Sequence, residues 1–293
     1  MRLSLCVDPG RSWGDVLDLA CHAETLGLDG VYLCDHFMPF AADGRAADGA
    51  MLEGWTSLAA LAGHTQRLRL GTLVLGCTYR HPAVVANMAA TMDHITGGRF
   101  VLGLGAGGQR NEHVAYGLAL PSISRRLDAF EEACTVIRSL LGQPRTTFDG
   151  AFFQLAEAPC DPKPVQTPLP LLIGGGGERR TLRIAAQFAD EWHVWSTPDE
   201  FRHKSEILDG HCEDIGRDPS TIRRATGALV LSSDGRGARD HDDLGAPASV
   251  LDQLGAYRAA GADEFIARDH RETSLAESKD SLSLCAEVMA TLR

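Results

Sequence analysis

The sequence predicts an α/β protein folded as a (β/α)8 barrel, with residues 1–293 forming one domain. Helix-type and strand-type patterns alternate along the whole chain, the strand-type runs are short and almost wholly apolar, and eight such units occupy 293 residues. Continuous apolar runs are typical of parallel strands covered on both faces. Eight strand–helix units in a chain of this length are the content of a TIM barrel. A doubly wound open sheet is the competing interpretation.

The predicted elements follow each other in strict alternation. The strand-type runs lie near residues 2–7, 30–34, 68–75, 99–104, 170–173, 190–195, 225–232 and 263–267. Helical patterns lie near 12–26, 53–64, 82–96, 123–142, 178–188, 198–215, 247–260 and 275–292. Gly27 and Gly261 stand where two of these helices need a left-handed residue as a C-cap.

Two segments are longer than a minimal strand–helix unit requires. Residues 143–170 hold six prolines around the run TTFDGAFFQL, in which Asp149-Gly150 is a hairpin turn signal. Residues 233–248 are rich in glycine and aspartate and predict a mobile loop after the seventh strand. We interpret both as insertions at the C-terminal mouth of the barrel.

Composition excludes several classes of function. The formal net charge is −11 and no group of lysines and arginines forms a basic face, which argues against nucleic-acid binding. No apolar stretch is long enough for a membrane span, and the first residues do not read as a signal peptide. The eight cysteines stand singly, as in a reducing compartment. We therefore expect a cytoplasmic protein. The scattered histidines, without HExxH, predict no metal site.

Ligands of such barrels bind at the C-terminal ends of the strands, and that rule selects a few side chains. Asp35 and His36 follow the second strand; a histidine beside a carboxylate can transfer a proton, although a structural histidine is equally consistent. Glu112 and His113 form a weaker pair of the same kind. Trp195 ends the sixth strand and either lines a pocket or belongs to the core.

Four consecutive glycines, Gly174–Gly177, join the fifth strand to a helix predicted to begin at Glu178. Backbone N–H groups of such a turn can close on an anion, and the dipole of the following helix adds to the attraction. A strand–helix turn without a ligand needs only one or two glycines. We therefore favour an anion site at this turn.

The stretch RFVLGLGAGGQR, residues 99–110, matches GxGxxG in an unsuitable context. It follows the fourth strand instead of opening a sheet, and the region about 20 residues on reads as a helix, without the acidic strand end of a dinucleotide site. We expect the end of a barrel strand and its exit loop, with glycines that let the backbone approach a ligand. The residues assigned to that contact are Gly105, Ala106, Gly107 and Asn111.

These segments together resemble the bacterial-luciferase-like monooxygenase superfamily, most closely its branch that uses the deazaflavin coenzyme F420. The similarity runs through AETLGLDGVYLCDHF, LRLGTLVLGCTYRHPAVVANMAATMDHITGGRFVLGLGAGG, EHVAYGLALPSISRRLDAFEEACTVIRSLL, FDGAFFQL and PLPLLIGGGGERRTLRIAAQFADEW. The resemblance implies a (β/α)8 barrel, usually a homodimer, with F420 or alternatively FMN lying across the C-terminal mouth.

The resemblance also assigns positions. Leu73-Val74 match a non-prolyl cis peptide behind the tricyclic ring, and Gly174–Gly177 match the segment that holds the cofactor phosphate. Asp35-His36 match a pair in F420-dependent sugar-phosphate dehydrogenases, where the histidine is held to be catalytic.

One departure concerns the catalytic glutamate of those dehydrogenases. It comes soon after the fourth-strand glycines, where this chain reads Ala106-Gly107-Gly108-Gln109. Glu112 is nearby but displaced along the chain. The departure puts a sugar-phosphate substrate in doubt.

The sequence therefore predicts an F420-dependent oxidoreductase that moves a hydride between the deazaflavin and a small organic substrate. His36 would act near the reacting centre, with Glu112 or His113 assisting. A basic track of Arg179, Arg180 and Arg183 would favour F420, whose oligoglutamate tail it could follow. Two alternatives stay open: an FMN-dependent monooxygenase supplied with reduced flavin by a partner reductase, and a cofactor-free relative with a structural or binding role.

Overall fold

Parallel strands close into a barrel in the computed structural model, which describes residues 1–229 and 247–292. The strands are β1 (Arg2–Val7), β2 (Gly30–Leu33), β3 (Arg69–Thr72), β4 (Leu75–Gly76), β5 (Phe100–Gly105), β6 (Thr146–Asp149), β7 (Gln154–Ala158), β8 (Leu171–Gly174), β9 (Glu191–Trp195), β10 (Arg223–Leu229) and β11 (Glu264–Arg268). The helices are α1 (Trp13–Leu26), α2 (Gly54–Ala62), α3 (Pro82–Thr96), α4 (Arg110–Tyr116), α5 (Ile123–Gly142), α6 (Thr181–Phe188), α7 (Pro198–Asp214), α8 (Pro247–Ala259) and α9 (Leu275–Leu292).

The pairing of the strands makes the barrel complete. Going round it, β1 is followed by β2, β3 with its continuation β4, then β5, β8, β9, β10 and β11, and β11 pairs again with β1. Every pairing in this ring is parallel. The prediction of a (β/α)8 barrel is confirmed, and the alternative of an open sheet is wrong.

Local chemistry accounts for the helix ends. Ser12 caps α1 by accepting the N–H of Asp15, and Gly27 ends it with a φ of 76°. Thr197 and Glu200 form a reciprocal capping box at the start of α7. Gly261, with a φ of 92°, follows α8 as predicted. Within the described residues, no helix is long and apolar enough to cross a membrane.

The barrel interior is charged at the bottom and apolar above. Arg69 pairs with Glu191 and Glu264 near the N-terminal ends of the strands, and the Glu264 carboxylate also accepts the Ser4 hydroxyl at 2.6 Å. Above this cluster lies a layer of buried side chains: Cys6, Tyr32, Leu73, Val101, Leu172, Ala225 and Ile266. The barrel is thus filled from below, and two cavities open toward its C-terminal mouth.

Several boundaries differ from the prediction. The third strand is interrupted at Leu73 and Val74, so that it forms two pieces, β3 and β4. The helix expected from Glu178 begins at Thr181, because residues 178–180 form a turn first. The short helix α4 was not predicted. Residues 143–170 contain the hairpin β6–β7 at the expected turn signal Asp149-Gly150. The segment does not lie at the mouth, however: it connects α5 to the start of β8, its loop bonds Glu132 of α5, and Gln166 bonds the Phe100 carbonyl at the start of β5.

The predicted mobile loop 233–248 falls largely outside the described residues. Of that segment, residues 247 and 248 form the beginning of α8. The organisation of residues 1–293 as one domain stays a prediction.

Candidate active site

Two adjoining cavities open at the C-terminal ends of the barrel strands. The larger cavity has a volume of about 540 Å³ and is bounded by residues that follow or end β2, β4, β5, β8 and β9. The smaller cavity, of about 260 Å³, lies toward the ends of β1 and β11. His36, Leu73, Gln109 and Trp195 line both cavities. These four side chains therefore stand at the boundary where two bound molecules would meet.

The wall of the larger cavity contains a cis peptide bond between Leu73 and Val74, as the resemblance implies. The Val74 side chain fits between two glycines: a Cβ atom at Gly105 or at Gly174 would lie 2.7 Å from one of its methyl carbons. At Gly103, a Cβ atom would lie 1.9 Å from the Thr72 carbonyl oxygen. Glycine is therefore required at positions 103 and 105 of β5, because β3 and its bulge approach that strand closely.

His36 is held by a buried carboxylate. Its Nδ1 lies 3.3 Å from Oε2 of Glu112, and Oε1 of Glu112 accepts the backbone N–H groups of Phe37 at 2.7 Å and Met38 at 3.2 Å. The Tyr79 hydroxyl donates to the same carboxylate. Glu112 is fully buried and lines neither cavity, whereas 37% of the His36 side chain is exposed. Glu112 thus positions His36 and the turn that carries it.

The charge of Glu112 determines which nitrogen of His36 carries a proton. Burial by itself would raise the pKa of Glu112, but hydrogen bonds from His36, Tyr79 and the Phe37 N–H outweigh burial and lower it. An ionised carboxylate only accepts hydrogen bonds, so Nδ1 of His36 is the protonated nitrogen in the neutral ring. Nε2 then has no protein partner within the described residues and is available to a ligand.

Asp35 lines the larger cavity, but its oxygens are already occupied. Arg80 donates to both of them, at 2.8 and 3.0 Å, and the Gly76 N–H donates at 3.0 Å. Burial raises the pKa of Asp35, and the partners offset that effect only in part. Arg80 also bonds Glu53 at 2.9 Å. Asp35 therefore fixes the exits of β2 and β4 relative to each other.

The four-glycine turn is divided between two spaces. Gly174 and Gly175 line the larger cavity, while Gly176 and Gly177 line a shallow extension of about 390 Å³. The Gly175 N–H is not available to an anion, because it donates to the His193 carbonyl at 2.9 Å. The N–H groups of Gly176 and Gly177 have no acceptor in the described part of the chain. Of the predicted anion site, only the second half of the turn therefore has N–H groups that an anion could use.

The neighbouring arginines are mostly engaged with α5. Arg180 pairs with Asp128, and Arg183 pairs with Glu131 at 3.0 Å. Arg179 lines the shallow extension and has no carboxylate partner within residues 1–229 and 247–292. The three arginines therefore do not form a continuous basic track.

Besides Glu112, two residues assigned to the site lie outside both cavities. Asn111 is buried and donates from Nδ2 to the Pro39 carbonyl at 2.8 Å, so it supports the segment after His36. Both ring nitrogens of His113 are used, with Gln109 O and Thr78 Oγ1 each at 2.8 Å. The structure brings Gly105, Ala106, Gly107 and Trp195 to the larger cavity as expected, but it does not bring Asn111 or His113 there.

His193 is a cavity residue that the sequence reasoning missed. It lines the larger cavity from β9, its Nε2 is buried without a partner among the described residues, and burial lowers its pKa to about 3. The ring is therefore neutral, and its Nε2 is buried without a hydrogen-bond partner in the described part of the chain. The period-two alternation of a barrel strand is the signal that could have found it, because Glu191, His193 and Trp195 all face the interior.

Trp195 stands at the boundary of the cavities with defined neighbours. Its ring contacts the His193 ring edge-on, with centroids 4.5 Å apart. The Arg268 guanidinium also lies over the Trp195 ring, 5.6 Å from its centroid. A Cβ atom at Gly227 would lie 2.6 Å from Cζ3 of Trp195, so glycine at that position makes room for the indole.

A closed parallel barrel with a cis-peptide bulge in its third strand and a ligand cavity at its C-terminal mouth defines the class of the protein. The chain matches the luciferase-like monooxygenase family over residues 3–242, and it belongs to that family.

Individual relatives agree with this assignment. The chain is 35% identical to the F420-dependent glucose-6-phosphate dehydrogenase of Microbacterium testaceum over 195 residues, which are 66% of this chain and 56% of the relative. It is 33% identical to a phthiodiolone/phenolphthiodiolone dimycocerosates ketoreductase of a Mycobacterium species, over 64% of this chain and 50% of the relative. The chain thus spans about half the length of the curated relatives it matches. An F420-dependent secondary alcohol dehydrogenase has the same fold, with a TM-score of 0.86, 20% identity and complete coverage of both chains.

Proposed function

We propose that this protein is an F420-dependent oxidoreductase that transfers a hydride between the deazaflavin and a small organic substrate. The observation that carries the proposal is the arrangement of His36, turned by Glu112 toward the boundary between a large and a small cavity. A cofactor in the larger cavity and a substrate in the smaller one would meet at that histidine.

The residues of the larger cavity suit a flat, polar cofactor. Its volume of about 540 Å³ lies within the range of ligand sites, about 300–1,000 Å³. His193 contributes a neutral imidazole ring to the wall, and the N–H groups of Gly176 and Gly177, with Arg179, could bind the phosphate. The deazaflavin, when bound, supplies the carbon that accepts or releases a hydride.

The protein side chains supply proton transfer and orientation. Nε2 of His36 can accept the proton of a substrate hydroxyl when that group is oxidised, or return it in the reverse direction. The resulting imidazolium would be stabilised by the ionised Glu112 at 3.3 Å from Nδ1. Trp195 and Leu73 exclude water from the same boundary. The names of the relatives that act with F420 support this proposal over an FMN-dependent one.

Cofactor titration tests the proposal directly. We expect the purified protein to bind F420 at least ten times more tightly than FMN, measured by quenching of cofactor fluorescence. Tight binding of FMN with no affinity for F420 would favour the flavin monooxygenase instead. If the protein bound neither F420 nor FMN, the result would favour the hypothesis of a cofactor-free relative.

A pair of variants at the turn tests the position of the phosphate. Gly176→Asp should abolish F420 binding by repelling the phosphate, whereas Gly176→Ala brings the same Cβ atom near Val194 and Lys204 without the charge. The alanine variant therefore serves as the steric control. Equal affinities of the two variants for F420 would contradict the placement.

We further propose that the protein acts in the cytoplasm as a homodimer on a small-molecule substrate, with a reductase partner that regenerates the cofactor. Light scattering on the purified protein measures the oligomeric state. A monomer at micromolar concentration would contradict the dimer.

A further inference from the structure

The smaller cavity contains one arginine whose charge is not compensated. Its two carboxylates each have an arginine of their own: Asp8 pairs with Arg271 at 2.9 Å, and Asp269 accepts two hydrogen bonds from Arg11, at 2.6 and 2.7 Å. Arg268 also lines the cavity but forms no ion pair or hydrogen bond with any described residue. Among the charged residues of the described lining, Arg268 is therefore the one whose charge no described residue neutralises, because Asp8 is paired with Arg271 and Asp269 with Arg11 from outside the cavity.

The position of Arg268 is defined although it lacks a charged partner. The residue ends β11, two positions after the inward-facing Ile266, so its side chain enters the mouth of the barrel. The guanidinium lies over the Trp195 ring, and the missing side chain of Gly227 lets that ring occupy its place. A guanidinium stacked on a ring still presents the N–H groups of its edge to a ligand in its plane.

The rest of the smaller cavity is uncharged. Two thiols line it, and burial raises the pKa of Cys6 to about 12 and that of Cys34 still further, so both stay protonated. The apolar lining residues are Val7, Pro9, Phe40, Met51 and Leu73. The volume of about 260 Å³ is below the range of about 300–1,000 Å³ for sites that hold drug-sized ligands. The site therefore suits a small molecule with an apolar body and one anionic group.

We propose that Arg268 binds the carboxylate of the substrate, and that the substrate is a small hydroxy acid with an aliphatic or aromatic body. A carboxylate matches the fork of one guanidinium with two parallel hydrogen bonds. A phosphate carries nearly two charges at neutral pH and would exceed the single positive charge available. The inference rests on the proposed function, because it places the carbinol carbon of this acid beside His36.

The reaction that follows is balanced. The carbinol carbon of the hydroxy acid gives its hydride to the deazaflavin, and its hydroxyl proton passes to Nε2 of His36. The C–H and O–H bonds break, a C=O double bond forms, and the product is a keto acid. The bond between the carboxylate and Arg268 is unchanged throughout, so Arg268 determines specificity and takes no part in the chemical step.

A binding experiment without cofactor tests the anion site by itself. Calorimetry would compare 2-hydroxyhexanoate with its methyl ester, which has the same body and no charge. We expect the wild-type protein to bind the acid at least tenfold more tightly than the ester, and Arg268→Gln to bind both equally. Arg202→Gln, at an exposed arginine on α7 paired with Asp199, is the control and should behave as the wild type. Equal binding of acid and ester by the wild type would overturn the proposal, as would an Arg268→Gln variant that still prefers the acid.

Two further measurements separate this inference from the proposed function. With F420 present, Arg268→Gln should raise KM for the acid at least tenfold while kcat for the ester stays within twofold, and Arg268→Lys should recover part of the loss. Binding of the acid through Arg268 in a protein that has no affinity for F420 would contradict the proposed function alone. Tighter binding of glucose 6-phosphate than of the acid, lost in Arg268→Gln, would overturn the choice of a carboxylate. Loss of F420 affinity in that variant with unchanged acid binding would overturn the inference.

Discussion

Glu112 illustrates at the residue scale how a carboxylate can matter to a reaction that it does not touch. The sequence places it near a strand end and suggests a catalytic role, but spacing along the chain does not tell which way a side chain on the short helix α4 points. In the structure the carboxylate turns inward and collects four hydrogen bonds, from His36, Tyr79 and two backbone N–H groups. It is a positioning residue.

Replacing Glu112 by glutamine should lower kcat by roughly 10²-fold, within the range of general acid–base contributions. The amide oxygen can still accept the Phe37 N–H, so the turn persists, but the imidazolium of His36 loses its negative partner. Steady-state kinetics with F420 would measure the change, and the pH profile of kcat should shift with it.

Glu132→Gln is the matched control for that variant. The Glu132 carboxylate likewise accepts backbone N–H groups of a loop, those of residues 151–153, but it has no contact with His36 and lines neither cavity. We expect its kcat to equal that of the wild type. An equal loss of kcat in both variants would mean that Glu112 acts only through stability.

The burial of His193 predicts that the stability of the folded protein falls at acid pH. Burial lowers the pKa of His193 from 6.5 to about 3. Between these two pH values the histidine is protonated in the unfolded chain but not in the folded protein. Stability should therefore fall by roughly 1 kcal/mol per pH unit as the pH drops from 6.5 toward 3, with no contribution from this group above 6.5.

Urea unfolding of the wild type and of His193→Gln at pH 7, 5.5 and 4.5 would test this dependence. The glutamine variant should lose less stability between pH 7 and 4.5 than the wild type does. His64→Gln, at an exposed histidine, should follow the wild-type curve. Parallel curves for all three proteins would contradict the assignment.

The bulge between β3 and β4 is the element that forms the wall of the larger cavity. It packs Val74 against Gly105 and Gly174, which belong to two neighbouring strands. Apolar runs and glycines in the sequence predict the strands correctly, but only the resemblance indicated a bulge at Leu73-Val74. No local pattern distinguishes a glycine required by a close contact from one required by a turn.

Adding a methyl group at Gly174 tests this contact. Gly174→Ala should destabilise the protein by about 1–3 kcal/mol, the usual effect of an added group in a packed core. Val74→Ala should recover most of that loss in the double variant, because it removes the two methyl carbons at 2.7 and 3.1 Å from the new Cβ atom. Urea unfolding of the wild type, the two single variants and the double variant measures the coupling free energy between positions 74 and 174.

Gly142→Ala provides the control for the added methyl group. That glycine ends α5, and a Cβ atom there has no atom within 4 Å. We expect no loss of stability in it. Additive effects of Gly174→Ala and Val74→Ala would show that the two side chains do not compete for the same space.

The start of the helix α6 and the existence of the helix α4 could not be predicted from the sequence. The helix α6 begins at Thr181 instead of Glu178, because the fourth glycine is followed by one more turn. The helix α4 is only seven residues long and has too few turns to produce a periodic pattern. Its position nevertheless decides that Asn111 supports the segment after His36, that His113 bonds Gln109 and Thr78, and that both stay outside the cavities.

At the scale of the whole molecule, the division of the barrel interior into layers determines where chemistry can occur. The charged cluster around Arg69 and the apolar layer above it fill the lower part, which leaves the mouth as the place where the described cavities open to ligands. The number of strands and their order follow from the alternation of apolar runs. The layer structure does not, because it depends on which residues of eight separate strands meet inside the barrel.

Cofactor binding should therefore stabilise the barrel as a unit. A ligand that binds only the folded state at 100 times its dissociation constant adds about 2.7 kcal/mol to the free energy of unfolding. For a chain of this size that corresponds to a rise in Tm of roughly 5 °C. Thermal unfolding followed by circular dichroism, with F420 at that concentration, measures the shift. FMN at the same concentration should raise Tm by much less, and Gly176→Asp should not respond to F420 at all. A similar rise with both cofactors would mean that the larger cavity does not distinguish them.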